Sequence, residues 1–575
     1  MKQKSPYQAP SIDLLKMDHE GVIAASTQDF GAGKRYHLAQ DTPPSPTRGL
    51  FRFAKNLLPL VAAALMLPAC SSEEEPQPTP DGGKTRITVT AGIDEVTTRT
   101  TYTPGVNDED TADQMSVVWS SGETLQALSF LSDYSLKPST LTGNNAGAGT
   151  KNMEFTGDVA GNTGGSWADK HHYYYGPTPT FVLGSEDNPP RIGFILRGQE
   201  YDVTQTVPIS SLKNYDVMYT TSPTAGGNIS LQHACALIRF NLRLNTAGKS
   251  IRQITMSADY ADFLIRSSVW LKYRSDGTIT KIVSRASAAE TVLTLTIKND
   301  TGTSEDRDLV AYLMLPIDPE GLDISGRLIK VSAIDEDGKV YSRILNLTDK
   351  AAGTEVLQAG NCYTFFDNTP TPLKEDNFAG SNIYWDGTQL TFVKEPYDMS
   401  AVMNQGLYFK WGGLDGISPV GTWDDTAVTG TAWYNYASGK HNGGAWDNLL
   451  PATWTAGQNL ADAQDICYQL SGGTYRMPER YEIPTSGAVS INSSATFTAN
   501  TKGTAQIMRG YIRNGNLYFP RAGYRGNSAG GLNNGSFYWT KTVGNSDKGV
   551  SLFNNNYQAG SDINTAMPIR CIKNP

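Results

Sequence analysis

The stretch "LVAYLMLPIDPEGLDISGRLIKVSAIDEDGKVYSRILNLT", residues 309–348, sets the fold class. It opens on LVAYLMLPI (309–317), an apolar run of strand length, and breaks at Asp318, Pro319 and Gly321. Residues 326–348 then read as a hairpin, with Asp337-Gly338 at the turn because glycine supplies the positive φ that a tight hairpin requires. The same grammar extends outward from there. RITVTAGI (86–93) alternates Ile87, Val89 and Ile93 with threonines, as a half-buried strand does. MSVVWSSGETLQALSFL (115–131), GFILR (193–197) and DVMYTTS (216–222) read as further strands. Long helical periodicities are nearly absent, and no repeat of solenoid length is visible. The expectation is a mainly β chain of sandwich domains with a join near 220.

With 575 residues, the chain has room for about three or four domains at ~150 residues each. Tyr (28) outnumbers Phe (18) and glycine is frequent (56), a usage that suits twisted, loop-rich β-structure. Charged residues make up 18% and the net charge is −9, so no broad electrostatic attraction to nucleic acid is expected. The five cysteines (Cys70, Cys235, Cys362, Cys467 and Cys571) form no CxxC pair, and the six histidines show no metal-ligand spacing. No metal or cofactor is expected. With Cys70 set aside, the other four could form two bridges in an oxidising compartment.

Residues 57–67, LLPLVAAALML, are too short to span a bilayer as a helix. Arg48, Arg52 and Lys55 precede them and Ala69 precedes Cys70, the pattern of a signal peptide. Its ending, LPAC (67–70), resembles the lipobox of bacterial lipoproteins, which implies lipidation of Cys70 and contact with the membrane only through that anchor. The 47 residues before Arg48 exceed a usual n-region. SSEEEPQPTPDGG (71–83) has the composition of a solvated tether, stiffened by proline and extended by like charge. Acidic residues directly after the cysteine also resemble the surface-export signal of Bacteroidetes lipoproteins. The expected parts are therefore a leader (1–70), a tether (71–83), two sandwiches (84–220 and 221–368), a linker (369–376) and a tail (377–575).

Three segments resemble the fimbrillins of Bacteroidales, subunits of type V pili. They are TRTTYTPG…MSVVWSSGETLQAL, DVMYTTS…ISLQHACALIRFNLRL (216–244) and LVAYLMLPIDPEGLDISGRLIKVSAIDEDGKVY…LQAGNCYTF (309–365), the last with Ala359, Gly360, Tyr363 and Phe365 in a shared signature. The resemblance covers nearly all of 84–368 and implies two transthyretin-like β-sandwich domains. It also implies that a trypsin-like protease cuts after Arg99 and removes the strand RITVTAGI. A neighbouring subunit's C-terminal strand then fills the groove by β-augmentation. Read from its own residue type, an arginine among threonines at a strand edge is equally a solvated side chain. His233 and Cys235 share a strand face, yet no acid is placed to orient the histidine, so packing rather than catalysis is expected. Cys235 and Cys362 either stay buried thiols or form a second bridge, as strand proximity decides.

After 376 the composition changes, and seven of the ten tryptophans follow: Trp385, Trp411, Trp423, Trp433, Trp446, Trp454 and Trp539. AGQNLADAQDICYQL (456–470) reads as an amphipathic helix with Leu460, Ala463, Cys467 and Leu470 on one face. Thr455 and Gln458 are set as a capping box, and Gly472-Gly473 ends the helix. DICYQLSGGTYRMPERYEI (465–483) and NLYFPRAGYRGNSAGGLNNGSFYWTKT…PIRCIKNP (516–575) resemble Fibrobacter major-paralogue domains, which adopt an α+β C-type-lectin-like fold. Tyr475 and Met477 depart from that pattern, and no proline follows Cys467. The resemblance implies a Cys467–Cys571 disulfide and a ligand surface for which Trp423, Trp433, Trp446, Tyr524 and Arg525 are candidates. The triplets EPY (395–397) and WDN (446–448) are off-pattern and wrongly ordered for a calcium-dependent sugar site, and tryptophans of a small loop-rich domain more often fill its core.

Together these readings point to a pilus tip adhesin whose partners are other fimbrillin subunits and a surface glycan or protein ligand. The alternative is a monomeric surface lipoprotein that captures glycans or host proteins. No enzyme chemistry is expected, because no recognisable pair of carboxylates is present.

Overall fold

The computed structural model describes residues 84–575 other than 94–100, 105–114, 164–166, 168, 205–211, 246–247, 260–265, 285–291, 303–306, 367–371, 421–431, 436–438, 443–456, 493–498, 526–534, 546–547 and 564. The described chain is mainly β, as the alternation and turn signals require.

The first part is a closed barrel rather than the open sandwich expected. Its strands are β1 (Lys84–Ile93), β2 (Thr124–Phe130), β3 (Leu136–Gly143), β4 (Asn152–Ala160), β5 (His172–Tyr175), β6 (Met218–Tyr219) and β7 (Gly227–His233), in the order β1-β7-β6-β5-β2-β3-β4. Closure comes from β1, which pairs antiparallel with β4 and parallel with β7 and so joins what would otherwise be two sheet edges. Val89, Ala91, Leu125, Phe155, Tyr173 and Leu231 fill the interior. Trp119 packs edge-on to Phe155 and Tyr175, and its indole N–H donates to the Ala91 carbonyl at 3.1 Å.

Strands β2 and β5 are buried on both faces. Leu125 and Ala127 face the barrel, while Leu128 and Phe130 face a second, larger core; Tyr173 and Tyr175 likewise oppose Tyr174. This is why HYYY (172–175) shows no polar alternation. The second core lies between a six-stranded and a three-stranded sheet. The three-stranded sheet holds β8 (Cys235–Leu244), flanked by β10 (Arg307–Pro316) and β13 (Cys362–Phe365). The six-stranded sheet includes β9 (Ile251–Ala258), β11 (Leu328–Asp335) and β12 (Val340–Asn346). β11 and β12 form the expected Asp337-Gly338 hairpin, with Gly338 at φ 77°. Pairing crosses the join expected at 220, because β7 (227–233) closes the barrel and the chain changes sheet at Ala234. The strands Arg191–Ile195 and Gln199–Asp202 also pair with strands of the second part.

Residues of the expected linker are part of that second sheet. Lys374 and Glu375 pair with Ser342 and Tyr341 of β12, and Leu373 is buried. The tail packs directly against the hairpin. Leu328 and Ile344 share one apolar cluster with Met399 and Val402 of helix α1 (Met399–Val402), and with Ile491, Ile512 and Tyr518. Backbone bonds cross as well, from Ile344 N–H to the Gly515 carbonyl at 2.8 Å and from Met399 N–H to Ser257 Oγ at 2.8 Å.

In the tail, β14 (Phe378–Asn382) and Tyr475–Arg476 flank the last strand, β15 (Arg570–Lys573). The expected long helix is instead a 3-10 turn (Asp462–Gln464) followed by a short helix, α2 (Ile466–Ser471). The cause is Asp465. Its buried carboxylate accepts from the N–H groups of Tyr468 (3.1 Å) and Met477 (2.8 Å), so the helix starts there. Leu460 and Cys467 are buried, but the break in period leaves Ala463 exposed. Gly472 ends α2 in the left-handed region, as expected. Thr455 lies outside the described residues.

Candidate functional site

The feature most unlike an ordinary sheet strand is the position of β1. Along it, Val89 and Ala91 point inward and are fully buried, whereas Lys84, Thr85 and Arg86 are exposed. Its outward contacts are light. An Arg86–Asp158 pair at 3.4 Å is largely solvent-exposed on both sides, and the Thr88 and Thr156 hydroxyls are 3.2 Å apart. Cohesion therefore comes from two backbone ladders and from the inward side chains of Ile87, Val89 and Ala91. Ladder bonds depend on no side chain, so most of the cohesion of β1 on its two neighbours is independent of its outward residues.

The opposite end of the chain is held differently. Ile572 of β15 pairs with Phe378 on one side and Arg476 on the other. Cys571 is disulfide-bonded to Cys467 of α2, with Cα atoms 5.6 Å apart. The buried Arg570 donates to Asn382 Oδ1 and the Val402 carbonyl, both at 2.7 Å, and to the Ala379 carbonyl at 3.3 Å. Burial pushes this guanidinium's pKa down, so these acceptors are what satisfies it.

Other sequence expectations fare unevenly. Cys70, Arg99, Trp423 and Trp446 lie outside the described residues. Trp433 sits on the strand Ala432–Asn435. Of the other candidates for a ligand surface, Tyr524 is half-buried and Arg525 is buried. Tyr524 packs on Phe537 with ring centroids 4.7 Å apart, and Arg525 is buried with its guanidinium donating to the Pro419 carbonyl. Trp385, Trp411 and Trp539 are core residues. Cys235 and Cys362 are not bridged to each other. Cys362 is in register with Leu237, so Cys235 lies two residues further along the ladder. Burial holds the Cys235 thiol protonated by raising its pKa well above the usual range.

Sequence reasoning missed two buried pairs. His233 does have an orienting acid, because Asp216 Oδ1 lies 2.9 Å from its Nδ1. Both side chains are buried, close to the enclosed Cys235 thiol. The second is the Lys330–Asp376 ion pair at 2.5 Å, each side chain 1% exposed, where the sandwich meets the tail. Only the lysine within the mostly apolar LIKVSAI hinted at it. Among the described residues no group of three or more His, Cys, Asp or Glu side chains is placed to hold a metal, and no helix is long and apolar enough to cross a membrane.

No family model matches the chain, and no curated protein matches it. Among solved structures it is similar to a candidate cell adhesion protein from Bacteroides uniformis. The identity is 13%, the match covers 50% of this chain and 93% of that one, and the TM-score is 0.26. A candidate cell adhesion protein from Bacteroides ovatus gives 10% identity, coverage of 48% and 98%, and a TM-score of 0.27. The tip fimbrial protein Mfa3 from Porphyromonas gingivalis, C-terminally truncated, gives 10% identity, coverage of 54% and 100%, and a TM-score of 0.20. Likenesses at this level bear no functional weight.

Proposed function

We propose that the chain is a tip adhesin of a type V pilus: exported as a precursor lipidated at Cys70, cut after Arg99, and joined to the next subunit by strand exchange at the β1 slot. Residues 377–575 are its displayed ligand-binding part. The observation that supports this most is the contrast between the two ends of the described chain. β1 is held by ladders and by the alternating apolar side chains of Ile87, Val89 and Ala91, so another strand of the same pattern can replace it. β15 is locked by two ladders, a disulfide and Arg570, so it cannot be donated without unfolding the tail. A subunit that accepts a strand at the β1 slot while its β15 stays locked suits the end of a fibre. Cys70 and its lipid then leave with β1, which makes the anchor temporary.

The test uses the mature chain and an arginine-specific protease. The expected result is a new N-terminus at Thr100, with β1 exchanging for an added synthetic KTRITVTAGI peptide carrying a label. Arg99→Ala blocks both events. A chain that stays intact at Arg99, or one that is cut but takes up no labelled strand, overturns the tip reading and leaves the monomeric surface lipoprotein.

A further inference from the structure

Lys330 and Asp376 meet at 2.5 Å with each side chain 1% exposed, yet few hydrogen bonds surround them. An ammonium has three N–H donors, and the described hydrogen bond of this one goes to Asp376 Oδ2. That oxygen also accepts from Ser342 Oγ at 3.2 Å, whereas Asp376 Oδ1 is buried with no hydrogen-bond partner among the described residues. A buried ion pair is favourable only when its remaining donors and acceptors are satisfied. An amide in its place carries no charge and has one donor and one acceptor to satisfy.

The setting also favours the chemistry that makes such an amide. Desolvation lowers the Lys330 pKa even against the charge of Asp376, which favours the neutral, nucleophilic amine. The buried Arg570 pushes the same way electrostatically, and the Asp376 charge in turn favours the guanidinium. A cation so placed steadies negative charge that builds on the carboxyl oxygens. Ile344 lies directly opposite Lys330 in the ladder and belongs to the apolar cluster with Leu328 and Met399, so water is kept from the pair. Asp376 Cγ is one C–O bond beyond an oxygen 2.5 Å from Nζ, close to the ~3–3.5 Å separation of a near-attack geometry.

We propose that Lys330 and Asp376 condense to an intramolecular isopeptide bond, which joins the second sandwich covalently to the start of the tail. A proton passes from Nζ to the carboxylate, the neutral amine attacks Cγ, and the tetrahedral adduct expels one carboxyl oxygen as water. The Nζ–Cγ bond forms and one Cγ–O bond breaks. The two protons lost by the lysine leave in that water, and no oxidant or cofactor enters. The ion pair is the reactant state, and Ser342 Oγ is left to donate to the amide oxygen. Lys330 belongs to β11, an inner strand of the six-stranded sheet, and Asp376 stands two residues before β14, where the tail begins. Tension between sandwich and tail is then carried by an amide as well as by the pairing of Lys374 and Glu375 with β12. The inference does not rest on strand exchange at β1.

The test is mass spectrometry of the full mature chain, intact and after trypsin, with the Cys467–Cys571 bridge reduced. The intact mass is expected one water below that of the unmodified chain. The digest should contain a branched peptide that joins the Lys330 and Asp376 segments, with Lys330 left uncut. Lys330→Arg and Asp376→Ala each restore the full mass and linear peptides. Masses are read on denatured chains, so a variant that folds poorly does not blur the comparison. A full mass for the folded parent chain after prolonged incubation overturns the proposal. A water lost with only linear peptides, as from a succinimide, or lost equally by both variants, does the same.

Discussion

His172 is enclosed on every side. Its Nδ1 lies 3.2 Å from the Thr220 carbonyl and its Nε2 3.2 Å from the Gly277 carbonyl, and its ring meets Trp167 and Tyr273 edge-on. Desolvation lowers its pKa to about 4, even though the two carbonyls favour the cation. The unfolded chain therefore binds the proton more readily between about pH 6.5 and 4, and folding stability falls as pH drops through that window. The full effect is about 3 kcal/mol. Asp465 acts in the opposite sense. Burial raises its pKa to about 6, so its contribution is present below its unfolded value and lost as pH rises through 6. Urea denaturation at several pH values should show a shallower loss below pH 6.5 for His172→Gln than for the parent chain; parallel curves would exclude this account. Neither residue announces itself in sequence, because burial on all sides is a property of what arrives from elsewhere in the chain.

Strands and their turns were the most legible level. Asp337-Gly338 marks a hairpin in eight letters of context, since the turn needs a positive φ that glycine supplies without a clash. The helix of the tail was legible in place but not in length. A 3.6-residue period fits many windows, whereas Asp465 selects the start by capping α2 and bonding Met477 at once. β14 shows a constraint that sequence hides. A Cβ on Gly380 would sit 2.0 Å from the Glu395 carbonyl oxygen, because the neighbouring segment packs against the strand backbone. Gly380→Ala should cost about 1–3 kcal/mol through forced backbone movement, measurable as a lower urea midpoint. An unchanged midpoint would mean that the 393–395 segment moves freely.

At the scale of the molecule, the second sandwich and the tail form one packed body, joined by the apolar cluster around Ile344 and Met399 and by the Lys330–Asp376 pair. Desolvation lowers the Lys330 pKa, opposed by the charge and hydrogen bond of Asp376. Removing one partner leaves the other charge buried, so Asp376→Ala should destabilise by about 3–5 kcal/mol. The double substitution Lys330→Met with Asp376→Leu should recover most of that. Calorimetry on both variants decides. If the single substitution is silent, or the double is no better, the pair does not hold the seam. The disulfide works inside the tail instead, closing a loop between residues 104 apart in sequence, worth up to ~4–5 kcal/mol in the chain-entropy picture.

The sequence by itself determined what is local: strand-length runs, the Asp-Gly turn, the tether composition and the absence of long helical periodicity. Each depends on residues a few positions apart, whose steric and hydrogen-bonding preferences act in any context. The tertiary structure alone decided that β1 closes a barrel, that Arg525 turns inward, that His233 meets Asp216, and that a nominal linker becomes a sheet strand bearing a buried ion pair. These arise between segments far apart in the chain. There, pairing is chosen by the summed burial and ladder bonding of whole faces, and no single residue encodes that sum.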